Sequence, residues 1–134
     1  MNLFCWETYW KKGDDRTALD YFQKMINITT EKVDPHHPLI ANACHNIGLI
    51  HDQSGASDQA IEYLEKAVAI RLQIHGDPTL QAAHTVRDLA NAFRNKGDTD
   101  QARRWYSKAL SMFTKLKSQQ HVQEIQARML SLDD

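Results

Sequence analysis

Two cysteines, Cys5 and Cys44, are the only thiols in this 134-residue chain, and no CxxC pair is present. A disulfide framework and a thiolate zinc site both need more, so a reducing, cytoplasmic setting is expected. Prolines number three and glycines five, which leaves few points where a helix must break. Net charge is scarce too: 16 basic residues face 17 acidic ones, which argues against binding to nucleic acid or a membrane surface through bulk charge. The small imbalance is uneven, with six basic and ten acidic residues in 1–67 but ten and seven in 68–134. Electrostatic recognition is therefore expected toward the C-terminal half. No apolar run approaches the roughly 20 residues that span a bilayer, so membrane insertion is not expected. The opening MNLFCWETYW carries Glu7 and lacks a basic leader and a small-residue cleavage site, so it does not read as a signal peptide.

What the chain does contain is a repeat. A glycine followed five residues later by alanine stands at Gly13 and Ala18, at Gly55 and Ala60, and at Gly97 and Ala102, each pair 42 residues from the next. Helical periodicity fills the intervals. A first helix is expected over 2–12, with Leu3, Cys5, Trp6 and Tyr9 on one side. A second follows Asp14 or Asp15 to about Thr30, with an apolar stripe of Ala18, Leu19, Phe22, Met25 and Ile26. The prolines of KVDPHHP end it, and Pro38 suits the first turn of a third helix over 38–54 that buries Ala41, Cys44, Ile47, Gly48 and His51. A fourth, 57–74, turns Ala60, Ile61, Leu64, Ala67 and Val68 inward and stops before Gly76-Asp77-Pro78. The next copy repeats both stripes, as Ala83, Val86, Leu89, Ala90 and Phe93 and then as Ala102, Trp105, Tyr106, Ala109 and Leu110. A last stripe of Val122, Ile125, Met129 and Leu132 is out of register and reads as a capping helix. The expected division is one domain, 1–134: a truncated repeat 1–36, repeats 37–78 and 79–118, and a cap 119–132. The expected class is all-α, an α-solenoid of antiparallel helix pairs with seven helices, in which small residues such as Gly48, Ala60 and Ala67 let backbones approach.

Catalytic and cofactor signatures are missing. GxSxG, GxGxxG and GxxxxGK[ST] do not occur, so hydrolase, dinucleotide and P-loop chemistry lack their defining residues. Cys44 and His45 are neighbours on a helix and point about 100° apart, which rules them out as a nucleophile-base pair. Both cysteines occupy apolar register positions, Cys5 with Ile47 and Cys44 with Val86, so core packing is their expected role. Of the seven histidines, His45 and His84 lie on adjacent helices, His51 takes the position of Phe93, and His36 and His37 fall in a linker; no HExxH motif joins them. Neither a metal, a cofactor nor an enzymatic activity is expected.

The segments HNIGLIHDQSG and AIEYLEKAVAIR, with NITTEKVDPHHPLIA and LQIHGDPTLQAA in the loops, resemble the tetratricopeptide repeats. Their 42-residue spacing is similar to the long repeats of kinesin light chains, against a usual period of 34 in the family, and the resemblance spans about residues 2–117. It departs from the family pattern at Asp15, Ser57 and Thr99, where an aromatic is usual, and at Trp6, which stands where Gly48 and Ala90 stand in the other copies. A first helix packed differently from its counterparts is expected from that substitution.

The resemblance implies a right-handed superhelix whose first helices line a concave, non-catalytic groove that binds peptides. Transferred residue by residue, the groove face comprises Asn42, His45, Asn46, Leu49, Asp52 and Gln53, then His84, Arg87, Asp88, Asn91, Arg94 and Asn95. Asparagine can hold a peptide backbone and arginine can grip a carboxylate, so a partner segment with an acidic side chain beside an apolar anchor is expected. Asp52 and Asp88 share that face and can neutralise the arginines internally, and a plain solvated helix face is the alternative for any one of these residues. The competing expectation is a structural fragment of a larger scaffold, or a homodimer formed through the N-terminal helix, since Leu3, Phe4 and Trp10 fall on groove-facing positions of the first copy.

Overall fold

A computed structural model describes residues 15–32, 37–74 and 79–132. Among the described residues the chain forms six helices and no strand: α1 (Asp15–Lys32), α2 (Pro38–Gln53), α3 (Ser57–Ile74), α4 (Leu80–Lys96), α5 (Thr99–Lys115) and α6 (Gln119–Ser131). Their ends match the breaks expected from the repeat to within two residues. The helix expected over 2–12, with Leu3, Phe4, Trp6 and Trp10, lies outside the described residues.

The turns show why the glycines recur. At Gly97 the backbone is left-handed, φ 96°, and the Gly97 amide donates to the Arg94 carbonyl at 3.0 Å while Asp98 donates to Phe93 at 3.0 Å. This pair of bonds is the Schellman closure, which satisfies carbonyls that the end of a helix leaves open. Gly55 closes α2 in the same way, at φ 87°, with Ala56 donating to His51 at 2.8 Å. Lys117 performs the task at the end of α5, at φ 58°, without glycine's freedom. Start signals are equally local. The Thr79 hydroxyl accepts from the Ala82 amide at 3.1 Å and the Asp98 carboxylate from Gln101 at 3.2 Å. His37 caps α2 by accepting from the Leu39 amide at 3.1 Å, a role its place in a linker had not suggested.

Consecutive helices pack against each other, and α2 also touches α4 directly, which makes the stack a helical solenoid. Its interior is built from the expected stripes. Ala18 and Phe22 of α1, Ala41, Cys44 and Ile47 of α2, Leu64 and Ala67 of α3, Val86 and Leu89 of α4, Tyr106 and Ala109 of α5, and Ile125 of α6 are all buried. Two helices approach closely at Gly48, where an added Cβ would lie 2.6 Å from Leu64 Cγ and 3.2 Å from the Ala60 carbonyl oxygen. The register mate of Gly48 is Ala90 and that of Leu64 is Tyr106, so the two pairs of helices solve the same crossing with different side chains. His51, expected inward, is half-buried and stacks on Tyr63 with ring centroids 5.9 Å apart.

Leu64→Ala should cost about 2–5 kcal/mol by opening a cavity, and Gly48→Ala about 1–3 kcal/mol by overpacking. Because the two side chains meet, the double variant should lose less than the two single losses together. Urea denaturation of the four proteins checks this; strict additivity would show that the Gly48–Leu64 contact does not limit the helix crossing.

Candidate functional site

Arg71, near the end of α3, is a cation in the interior, only 7% exposed. Its register mates are Thr29 and Phe113, both buried, so the 42-residue alignment already marks the position as internal and the arginine there as unusual. The guanidinium reaches two neighbouring helices. Its Nη2 donates to Asn42 Oδ1 of α2 at 2.6 Å, and its Nη1 donates to His45 Nδ1 at 2.9 Å, to the Gln81 carbonyl of α4 at 3.3 Å and to the Thr85 hydroxyl. Burial draws the pKa of Arg71 down, and the nearby Asp88 carboxylate pulls it back up.

That contact fixes the tautomer of His45. Since Nδ1 accepts from Arg71, the imidazole proton is on Nε2, which donates to Asp88 Oδ2 of α4 at 2.7 Å. The other oxygen of Asp88 accepts from Arg87 Nε and Nη2 at 3.3 Å. Arg87 Nη1 lies 3.7 Å from Glu124 Oε1 of α6, and the same oxygen accepts from Arg128 Nε at 3.2 Å. Arg128 Nη1 in turn donates to Asn91 Oδ1 at 3.1 Å, which also accepts from the Tyr106 hydroxyl. Burial raises the Tyr106 pKa, which keeps that phenol a donor. A chain of polar contacts thus crosses the stack from α2 to α6.

Two expectations change. Asp88, assigned to the groove face, is buried and holds His45 and Arg87 together. Arg87, assigned to grip a ligand carboxylate, already spends its guanidinium on Asp88 and Glu124. Asp52 and Asn95 are engaged with each other, Asn95 Nδ2 donating to both carboxylate oxygens at 3.0 and 3.1 Å. His84 turns toward Phe113 and His121 rather than toward His45. Among the described residues no group of three or more histidines, cysteines or carboxylates is placed to hold a metal ion. Cys44 is buried and its thiol is pushed up to about 11, chiefly by burial and against the pull of Lys66.

The remaining expected residues differ in exposure. Asn42, Gln53 and Asn95 are exposed, while Asn46, Leu49 and Asn91 are half-buried. Arg94 is half-buried and makes no side-chain hydrogen bond among the described residues. Asn42, His45 and Asn46 come together with Phe22 and Met25 of α1, Ala43 of α2 and Arg71 to line a hollow of about 210 Å³. Its apolar wall was legible only as core, because Phe22 and Met25 lie on the α1 stripe.

Arg71→Ala should cost about 1–3 kcal/mol, since it leaves His45 Nδ1 and the buried Thr85 hydroxyl without their donor, while Asp88 keeps His45 and Arg87. Chemical denaturation measures the loss. A change below about 1 kcal/mol, the range of exposed ion pairs, would mean that the guanidinium is not structural.

The tetratricopeptide repeat profile matches residues 7–73 and 58–115. No curated protein matches the chain in sequence. Among solved structures, the chain is similar to BtubC (BKLC) from P. vanneervenii, with a TM-score of 0.87, 17% identity, and 95% of this chain and 52% of that one covered. It is similar to the kinesin light chain TPR-like repeats of Podosopora anserina, with a TM-score of 0.80, 17% identity, and 95% and 61% covered. The N-terminal domain of stress-induced protein-1 from C. elegans follows at 0.74 and 20% identity, with 96% and 89% covered. The chain thus spans between half and two thirds of the first two structures, and at these identities the likeness concerns the fold, a right-handed α-solenoid. On the profile match and this architecture together, the chain belongs to the tetratricopeptide repeat family.

Proposed function

We propose that the chain is a non-catalytic protein-interaction module, an adaptor or scaffold unit, whose concave face takes an extended segment of a partner protein. The observation that carries this reading is the hollow between α1 and α2, with Phe22, Met25 and Ala43 on an apolar wall and Asn42, His45, Asn46 and Arg71 on a polar one. Such a wall pair suits one apolar side chain of a peptide whose backbone lies on the amides of Asn42 and Asn46. Family membership and the kinesin light chain neighbours support the same class of function.

The charge along this face favours an acidic segment. Arg71, Arg87, Arg94 and Arg128 exceed Asp52, Asp88 and Glu124 by one positive charge. Catalysis finds no support in the His45–Asp88 pair, because the nitrogen that would act as a base already accepts from Arg71. In the same reading α6 acts as a cap: Gln119, Gln120, Gln123 and Gln126 on its outer side are exposed, with Leu130 exposed beside them. Self-association through Leu3, Phe4 and Trp10 is the competing reading, carried by their apolar character in the sequence.

A random acidic-peptide library, applied at two salt concentrations to the wild type, Asn46→Trp and Arg94→Glu, tests the groove. Asn46→Trp should plug the hollow and weaken binding at both salts. Arg94→Glu should weaken it mainly at low salt, where exposed charges are least screened. Equal binding by the three proteins would place the partner elsewhere, and a wild type that is dimeric, and becomes monomeric in Phe4→Ser/Trp10→Ser, would favour self-association.

A further inference from the structure

We propose that the docking of α6 onto the rest of the solenoid is acid-labile, because it is built around a histidine that has room for one proton and not for two. The joint is a cluster of three rings. His121 of α6 lies flat on Phe113 of α5, with centroids 4.5 Å apart and planes 9° apart. His84 of α4 meets both rings edge-on, 4.7 Å from His121 and 5.4 Å from Phe113. His121 Nδ1 is 2.5 Å from the Ser118 hydroxyl, at the turn that leads into α6.

His84 Nδ1 is shut off from solvent and has no hydrogen-bond partner. An orphaned acceptor is better tolerated in the interior than an orphaned N–H, so the neutral ring carries its proton on Nε2. A second proton can go only to Nδ1, where it would make a buried N–H with nothing to receive it. The surrounding charges do not rescue that state. Arg87 on the same helix and His121 from α6 oppose it, while Asp88 on α4 and Glu124 on α6 favour it; among the described residues α5 adds the ring of Phe113, and α2 and α3 add no charge that acts on His84. Burial comes first among these causes, and the net effect lowers the His84 pKa.

The sign follows from that direction. A histidine whose pKa is depressed by docking contributes its full stabilisation above its free value near 6.5 and loses it as pH falls toward the depressed value, since the released state takes up the proton. For one such proton the docking constant falls by up to about tenfold for each pH unit below about 6.5. Release of α6 would withdraw Glu124 and Arg128 from Arg87 and Asn91, but the acid response of α6 does not depend on the peptide-binding reading.

Hydrogen exchange localised to residues 119–132, at pH 7.5 and 5.5 and corrected for intrinsic rates, tests it. The local readout separates His84 from His45, which belongs to the α2–α4 contact. The wild type should lose protection in α6 by up to about tenfold at pH 5.5. His84→Phe, which keeps an aromatic edge and cannot titrate, should hold equal protection at both pH values, and His84→Leu repeats the comparison with a smaller side chain. Unchanged protection in the wild type, or the same acid loss in both variants, would overturn the proposal.

Discussion

A buried charge is the constraint on which the middle of this molecule depends. Removing a guanidinium from water costs several kcal/mol, and the cost is recovered only where acceptors and a counter-charge are already in place. Arg71 therefore dictates its surroundings: an amide at position 42, an imidazole at 45 with its proton on the far nitrogen, a hydroxyl at 85 and a carboxylate at 88. These groups belong to two neighbouring helices, so satisfying one side chain sets how α2 and α4 sit over the end of α3. The register mate Phe113 needs none of this, and the next joint is correspondingly made of rings.

The same repeat position thus carries two kinds of chemistry. Around Arg71 the contacts are directional and charged, and a guanidinium keeps its charge across the physiological pH range. Around Phe113 they are packing contacts between rings. A solenoid in which each unit touches only its neighbours tolerates such variety, because stability is set joint by joint rather than through one shared core.

The fold was legible because its determinants are local and recur. Glycines at the Schellman turns and helical stripes from Ala18 to Leu110 act within a few residues of themselves, and the 42-residue offset checks each against its copies. The small residue at Gly48 was legible for the same reason. The candidate site was less so, since the pairing of Arg87 with Asp88 and Glu124, or of Asn95 with Asp52, depends on rotamers and on the spacing between helices. Periodicity places these residues on one face and cannot distinguish a side chain that waits for a ligand from one already bonded to its neighbour. Arg71 was hidden for a different reason: it lies beyond the apolar stripe that ends at Val68, and its register mate Phe113 is what marks the position as internal.

The polar chain also has a mechanical side. It runs along the flank of the stack where α2 and α4 touch, and it extends through Arg87, Glu124, Arg128 and Asn91 to α6. Straightening the superhelix lengthens that flank, and hydrogen bonds near 2.7–3.3 Å weaken steeply when stretched. Closing it further is opposed as well, because the bonds from Arg71 to Asn42 and from His45 to Asp88 are already short at 2.6 and 2.7 Å. The polar chain is therefore a strut that holds the pitch of the superhelix from both sides.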